Sequence, residues 1–432
     1  MHWNGPLRFH SWQMVVSKSV PVSQGPPISA PAALRAAWAE HRVPLMAALT
    51  AKLGDLDMAE EALAEAALRA QRSWAASIPA NPSGWLYRVA LNAARDAQRR
   101  AVTRNRVEPE LRADLTRTDD DAMDVSPEAR LRLFGQCAHP RLSPDQQIAL
   151  ILFHLAGLDC PAIARAFLVR ESTIHQRLSR ARRILRTSQN HNEGQSQTQT
   201  EMNLSAIRAS LEIIYLQSFR NIAGGTEAQA LGRDALQLAE AFCHAGPNEA
   251  ESWALLSLLH ALEARRPARL SKDDDFVPFD RQMTSRWSAP HMRTAAEAMQ
   301  RCAALATSPQ FYGLRAQIEL TRMIAKQTSQ TADHELLALH EQLRLVSDAP
   351  FLAVERALVL ARVRGAMSGL HALDAIDADL SGHAGWHLAK AELYQQIADI
   401  SRTRFHLNAA LTLLDTPAEQ AFVADKLSGL PS

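Results

Sequence analysis

The stretch from Ser143 to Leu185 reads SPDQQIALILFHLAGLDCPAIARAFLVRESTIHQRLSRARRIL, and its pattern decides the fold. Ser143 before Pro144 is a helix start: the hydroxyl accepts from the first free backbone N–H groups, and proline suits the first helical position because it lacks a donor that would go unmet. The apolar run that follows predicts a helix through Leu155, ending near Gly157. Cys160–Phe167 then predicts a short helix with Ile163, Ala164 and Phe167 facing inward. Leu168 and Val169 make a turn, and Glu171–Leu185 predicts a second helix with Ile174 and Leu178 on its buried stripe. This is a helix-turn-helix pattern. The other face of the second helix carries Arg170, Ser172, Thr173, His175, Gln176, Arg177 and Arg180, with six arginines against one glutamate from Arg170 to Arg186. In such a helix the early residues reach base edges and the later arginines neutralise phosphate, so duplex DNA is the expected ligand.

A second basic helix lies upstream. Trp85 to Arg106 carries Arg88, Arg95, Arg99, Arg100, Arg104 and Arg106 against Asp96 alone, with Trp85, Leu86, Val89, Ala90 and Ala93 on another face. It is entered from a loop containing Asn81. An aromatic ring at the head of a basic helix suits melted single-stranded DNA, where bases stack and arginines follow the backbone. The expected contacts are Trp85, Arg88, Asn92, Arg95, Arg99 and Arg100.

Helical periodicity extends outward in both directions, and strand signals are nearly absent, so the fold class is all-α. The expected organisation is a disordered N-terminal tail over 1–31, a first helical domain over 32–106 and an acidic linker over 107–127. A second domain containing the helix-turn-helix over 128–187 and a polar linker over 188–203 precede a helical domain over 204–432. The acidic linker sets Glu108, Glu110, Asp114, Asp119, Asp120, Asp121 and Asp124 against Arg112 and Arg117. Too little of it is apolar to bury. In the last domain, breaks at Gly246-Pro247, Pro267, Pro290, Pro309, Pro350 and Pro417 separate amphipathic segments with the look of a degenerate tetratricopeptide-like array.

Near-balanced charge, 47 Lys and Arg against 46 Asp and Glu, conceals these local extremes. The four cysteines are scattered without a CxxC pair, which fits a reducing cytoplasm and no metal site. Walker, GxSxG and HExxH motifs are all missing, so neither an enzyme nor a cofactor is expected, and no apolar run is long enough to span a bilayer.

Gly54 to Ala66, Pro82 to Asp96, and the run from Leu142 through Ile163 and Val169 to Ala181 resemble, in this order, the extracytoplasmic-function group of sigma factors. The resemblance implies that Gly54–Ala66 binds the polymerase clamp through Asp57, Glu60, Glu61 and Glu65. It implies that Pro82–Asp96 melts and reads the minus-ten element, and that Leu142–Ala181 binds the minus-thirty-five element. Ile213–Leu216, Ala264–Arg269 and Ser285–Trp287 are similar to the tetratricopeptide-like extension of one subgroup. Core RNA polymerase and promoter DNA are the implied partners. For the extension, Arg265, Arg266, Arg269, Arg286 and Trp287 are expected to contact the sigma domains or a separate protein, because binding energy concentrates on arginine and tryptophan. The alternative is a stand-alone helix-turn-helix regulator with a helical solenoid sensor.

Overall fold

A computed structural model describes residues 30–104, 131, 133–135, 137–167, 169–188, 197–220, 225–271, 275–308, 310–376, 380–414 and 416–431. Among these residues the secondary structure is helical, with one isolated β-bridge between Leu270 and Phe276. The expected acidic linker and residues 1–29 of the expected tail lie outside the described residues, as does Leu168 of the turn. The described chain divides into two compact units, one from Val20–Cys160 with Ile174–Ser210, the other from Pro161–Thr173 with Leu211–Ser432.

The first unit opens with three mutually packed helices, α1 (Ala30–Leu53), α2 (Leu56–Ser73) and α3 (Pro82–Arg104). The chain leaves α1 through Gly54, whose φ of +71° is a left-handed backbone that other residues resist. Asp55 then caps α2, accepting from the Met58 amide at 2.9 Å. The side chains of Leu56, Ala59, Ala62, Leu63, Ala66 and Ala70 follow helical spacing and are buried. Helices α1 and α3 pack on α2, and Leu45 and Leu49 of α1 and Leu86 and Leu91 of α3 are buried as well.

Helix α4 (Pro144–His154) starts on a full capping box, with Ser143 Oγ accepting from the Gln146 amide and Gln146 Oε1 accepting from the Ser143 amide. It is buried nearly all round, from Gln147 to Leu152 and again at His154. Helices α5 (Cys160–Phe167) and α6 (Glu171–Ser188) follow at the expected positions. Helix α7 (Gln197–Arg220) corrects the sequence reading: residues 197–203, expected in the polar linker, are its first two turns. Gln, Glu and Met are good helix formers, and polarity alone does not stop a helix that carries an apolar stripe further on. Asn203 is itself buried, with Gln147 Nε2 donating to its Oδ1 at 3.0 Å.

In the second unit, α8 (Gly225–Ala245), α9 (Ala250–Arg265), α10 (Ala289–Leu305), α11 (Phe311–Thr328), α12 (Asp333–Val346), α13 (Pro350–Arg364), α14 (Ala366–Asp374), α15 (Ala384–Gln396), α16 (Ile400–Leu413) and α17 (Pro417–Ser428) each pack on the next. Nearest-neighbour stacking of this kind is how a helical repeat array buries its core. Helix α11 begins in an unusual way. Its own N-cap residue, Gln310, makes no capping bond, and the carboxylate of Glu251 on α9 accepts from the Tyr312 and Gly313 amides at 2.9 Å each.

The arginine-rich segment after α9 corrects a second expectation. Arg265, Arg269 and Trp287 are interior, each less than 10% exposed. Arg265 pairs with Glu319 at 2.7 Å, and Arg322 takes the other oxygen of the same carboxylate at 2.7 Å. Arg269 stacks on the Phe219 ring and donates to the Phe219 carbonyl. Half-buried Arg266 donates to Glu263 and to the Ser218 carbonyl, and Trp287 packs against Ala261, Ala264 and Met323. Guanidinium is planar and weakly hydrated, which suits it to stacking inside a helical core. Of the five residues expected on a contact surface, only Arg286 is exposed, with its Nη1 donating to the Leu270 carbonyl at 2.6 Å.

Burial alone would raise the Glu319 carboxyl, but Arg265 and Arg322 hold it below its ordinary value. Removing its charge strands Arg265, so Glu319→Gln is expected to destabilise the second unit by about 3–5 kcal/mol, read as a lower melting temperature of its calorimetric transition. His260 and His340 are both pushed down to about 4, first by burial and then by His291 in the one case and by Arg322, Arg362 and Arg356 in the other, so the folded state keeps them neutral. A folded value below the ordinary 6.5 means that stability falls as pH drops from 6.5 toward 4. The melting temperature of the same unit is expected to decline across that window.

Candidate nucleic-acid and polymerase interfaces

Helix α3 owes its position to its start. Asn81 Oδ1 accepts from the Gly84 amide and from Ser83 Oγ, both at 2.9 Å, with Pro82 at the first helical position. The loop residue Asn81 is therefore the helix cap. Leu86, Tyr87, Ala90, Leu91, Ala93 and Ala94 are buried. On the remaining surface Trp85, Arg88, Asn92, Arg95 and Arg99 succeed one another at intervals of three and four, which aligns them in one stripe. Arg88, Asn92, Arg99 and Arg100 are exposed, whereas Arg95 and Trp85 are half-buried. Trp85 meets the buried Trp74 edge to face, with ring centroids 5.6 Å apart, so one part of the ring belongs to the core and another to the stripe.

On α6, Ile174, Leu178 and Ala181 are buried, as the pattern required. Ser172, His175, Gln176 and Arg180 are exposed, as is Arg170 just before the helix; Thr173 and Arg177 are half-buried. Arg177 differs from its neighbour Arg180 because its guanidinium is paired with Asp145 at the head of α4, at 2.7 Å. That bond steadies Arg177 and reduces the charge it can give to phosphate. His175 Nδ1 lies 3.8 Å from the Cys160 thiol.

The carboxylates of α2 divide into two sets. Glu61 is exposed, and Glu65 is half-buried and paired with Arg69 at 2.8 Å. Glu60 and Asp57 turn inward toward α6, where Arg182 lies 2.8 Å from Glu60 and 4.0 Å from Asp57. Arg182 was not among the residues the sequence singled out. It sits beside buried Ala181, between the outward arginines and the core, and composition cannot separate it from Arg180 or Arg183. Among the described residues no group of His, Cys, Asp and Glu is arranged to hold a metal ion, and no helix is long and apolar enough to cross a membrane.

Two basic helical faces joined to an acidic helix are what an initiation factor needs, and comparison with known proteins bears on this directly. Residues 38–104 match the family described as Sigma-70 region 2, and residues 136–185 match Sigma-70, region 4. The chain belongs to the sigma-70 family. It is an RNA polymerase sigma factor with an additional C-terminal domain, and its two sigma regions imply core RNA polymerase and promoter DNA as partners. Part of that extra domain, residues 203–303, matches a family of unknown function, DUF6596. This sigma factor is also 28% identical over 393 residues to an uncharacterized protein of Rhizobium meliloti (strain 1021), covering 89% of this chain and 93% of the relative. No solved structure matches. A region 2 match has no place in a stand-alone helix-turn-helix regulator, so that alternative is not favoured.

The cap at Asn81 sets where the region 2 stripe begins. Asn81→Ala is expected to cost about 0.5–2 kcal/mol at the head of α3, read as faster amide exchange at residues 84–87.

Proposed function

We propose that this sigma factor is of the extracytoplasmic-function type and divides promoter recognition between its two basic helices in the cytoplasm. Trp85, Arg88, Asn92, Arg95, Arg99 and Arg100 act on the melted minus-ten element. Arg170, Ser172, Thr173, His175, Gln176, Arg177 and Arg180 act on the duplex of the minus-thirty-five element. Asp57, Glu60, Glu61 and Glu65 on α2 take the polymerase clamp. The observation that carries this reading is the stripe on α3, in which Arg88, Asn92 and Arg99 are exposed and Trp85 and Arg95 half-buried. A second nucleic-acid face headed by an aromatic ring is of use to a protein that opens DNA and superfluous to one that only finds it. Catalysis has no part in the reading.

For the C-terminal domain we propose a regulatory or partner-binding role. With Arg265, Arg269 and Trp287 interior, Arg286 is what remains of the expected patch, and any docking surface must draw on other exposed side chains.

The test is transcription from a cognate promoter by core polymerase with the full chain. Trp85→Ala is expected to weaken permanganate reactivity of the minus-ten thymines while leaving duplex affinity nearly unchanged, because stacking of one base is worth about 1–3 kcal/mol. Unchanged reactivity would assign the ring to the core alone. Arg180→Ala is expected to weaken promoter binding and to reduce its salt slope by about 0.9, because one phosphate is no longer neutralised. Arg177→Ala should cost less, since Asp145 already holds that guanidinium.

A further inference from the structure

Glu60 has an occupant within its own unit. The Arg182 guanidinium approaches its carboxylate at 2.8 Å, and His154 Nε2 stands 4.0 Å from the same group. A second guanidinium, Arg42 of α1, donates to the carbonyl of Phe153 at 2.8 Å. Both cations lie near the Phe153 ring, Arg42 at 4.9 Å and Arg182 at 5.5 Å from its centroid. The turn after α4 also comes against α1, where a Cβ on Gly157 would stand 3.6 Å from both Arg42 and Val43. The cluster thus joins α1 and α2 of region 2 to α4 and α6 of region 4.

We propose that Arg42, Glu60, Phe153 and Arg182 form a latch that closes region 2 on region 4, and that core polymerase must displace Arg182 from α2 to bind there. The second half rests on the reading of α2 as the polymerase surface. A carboxylate cannot satisfy the latch and a polymerase cation in full at the same time, so the two compete. The surroundings fit a contact that holds without being permanent. Burial raises the Glu60 carboxyl above its ordinary value while Arg182 and Arg42 act against that, which leaves a charge only partly compensated. His154 is fully buried beside both arginines, and burial and their charge keep its imidazole neutral. The latch therefore draws its attraction from Glu60, with Asp57 a more distant contributor. The chain keeps a closed form that does not present the whole of α2, and its apparent affinity for polymerase is reduced by the fraction closed.

Closure can be measured without polymerase. The native cysteines are buried, so dyes attached at Ala51→Cys and Ser179→Cys, both exposed, report the distance between α1 and α6 in the full chain. Arg182→Gln and Glu60→Gln are each expected to lengthen that distance. The exchanged pair Glu60→Arg with Arg182→Glu is expected to shorten it again, which guards against either single variant merely misfolding. Distances that stay at the wild-type value in both single variants would overturn the latch. Arg182→Gln is further expected to tighten binding to core polymerase on the order of fivefold or more. Glu61→Arg, which alters α2 outside the latch, separates the two ideas. If it leaves polymerase affinity unchanged, the α2 reading fails and the competition with it, while the dye distances still decide closure. If it weakens binding and Arg182→Gln leaves affinity as it was, competition alone is overturned.

Discussion

A carboxylate drawn partly out of water needs positive charge close by, and at Glu60 the neighbouring guanidinium comes from a helix 122 residues further along the chain. That pairing ties the region 2 bundle to the helix that presents the region 4 basic face. The same rule recurs in the second unit, where Glu319 is gripped by Arg265 and Arg322 and Glu212 by Arg315. In an all-helical protein no ladder of backbone bonds runs between elements. Side-chain charge and apolar packing are left to say which helix lies against which.

This division of labour separates arginines that look alike in sequence. Arg180 and Arg182 are two residues apart, yet a helix turns about 200° between them, so one faces solvent and the other a carboxylate. Glu60 and Glu61 part in the same way. In the second unit the arginines stack on Phe219, Phe279 and Tyr215 and behave as flat, cationic core residues.

What the sequence made legible was whatever depends on neighbours in the chain. The start of α4 at Ser143-Pro144, the buried Ile174 and Leu178 and the inward Leu86, Ala90 and Ala93 are all local signals of capping or spacing, and each is present in the structure. What it hid depends on partners remote in sequence. Composition marked residues 197–203 as linker, but Asn203 meets Gln147 and the helix runs through them. Arginine and tryptophan suggested a surface at 265–287, but Glu319, Phe219 and Met323 enclose them. Asn81 was visible as a loop residue and not as a cap, although Asn-Pro is a recognisable start for a helix.

Helix α11 carries this dependence furthest, since the group that begins it lies 61 residues upstream of Tyr312, on α9. An emerging polypeptide makes the acceptor before the donors. By the time the Tyr312 and Gly313 amides leave the ribosome, Glu251 is already outside and waiting, and the order of synthesis coincides with the order in which the stack can be laid down. Reordering the gene so that α11 preceded α9 would leave the finished fold the same on paper. The growing chain would then carry a helix without its start until the carboxylate arrived.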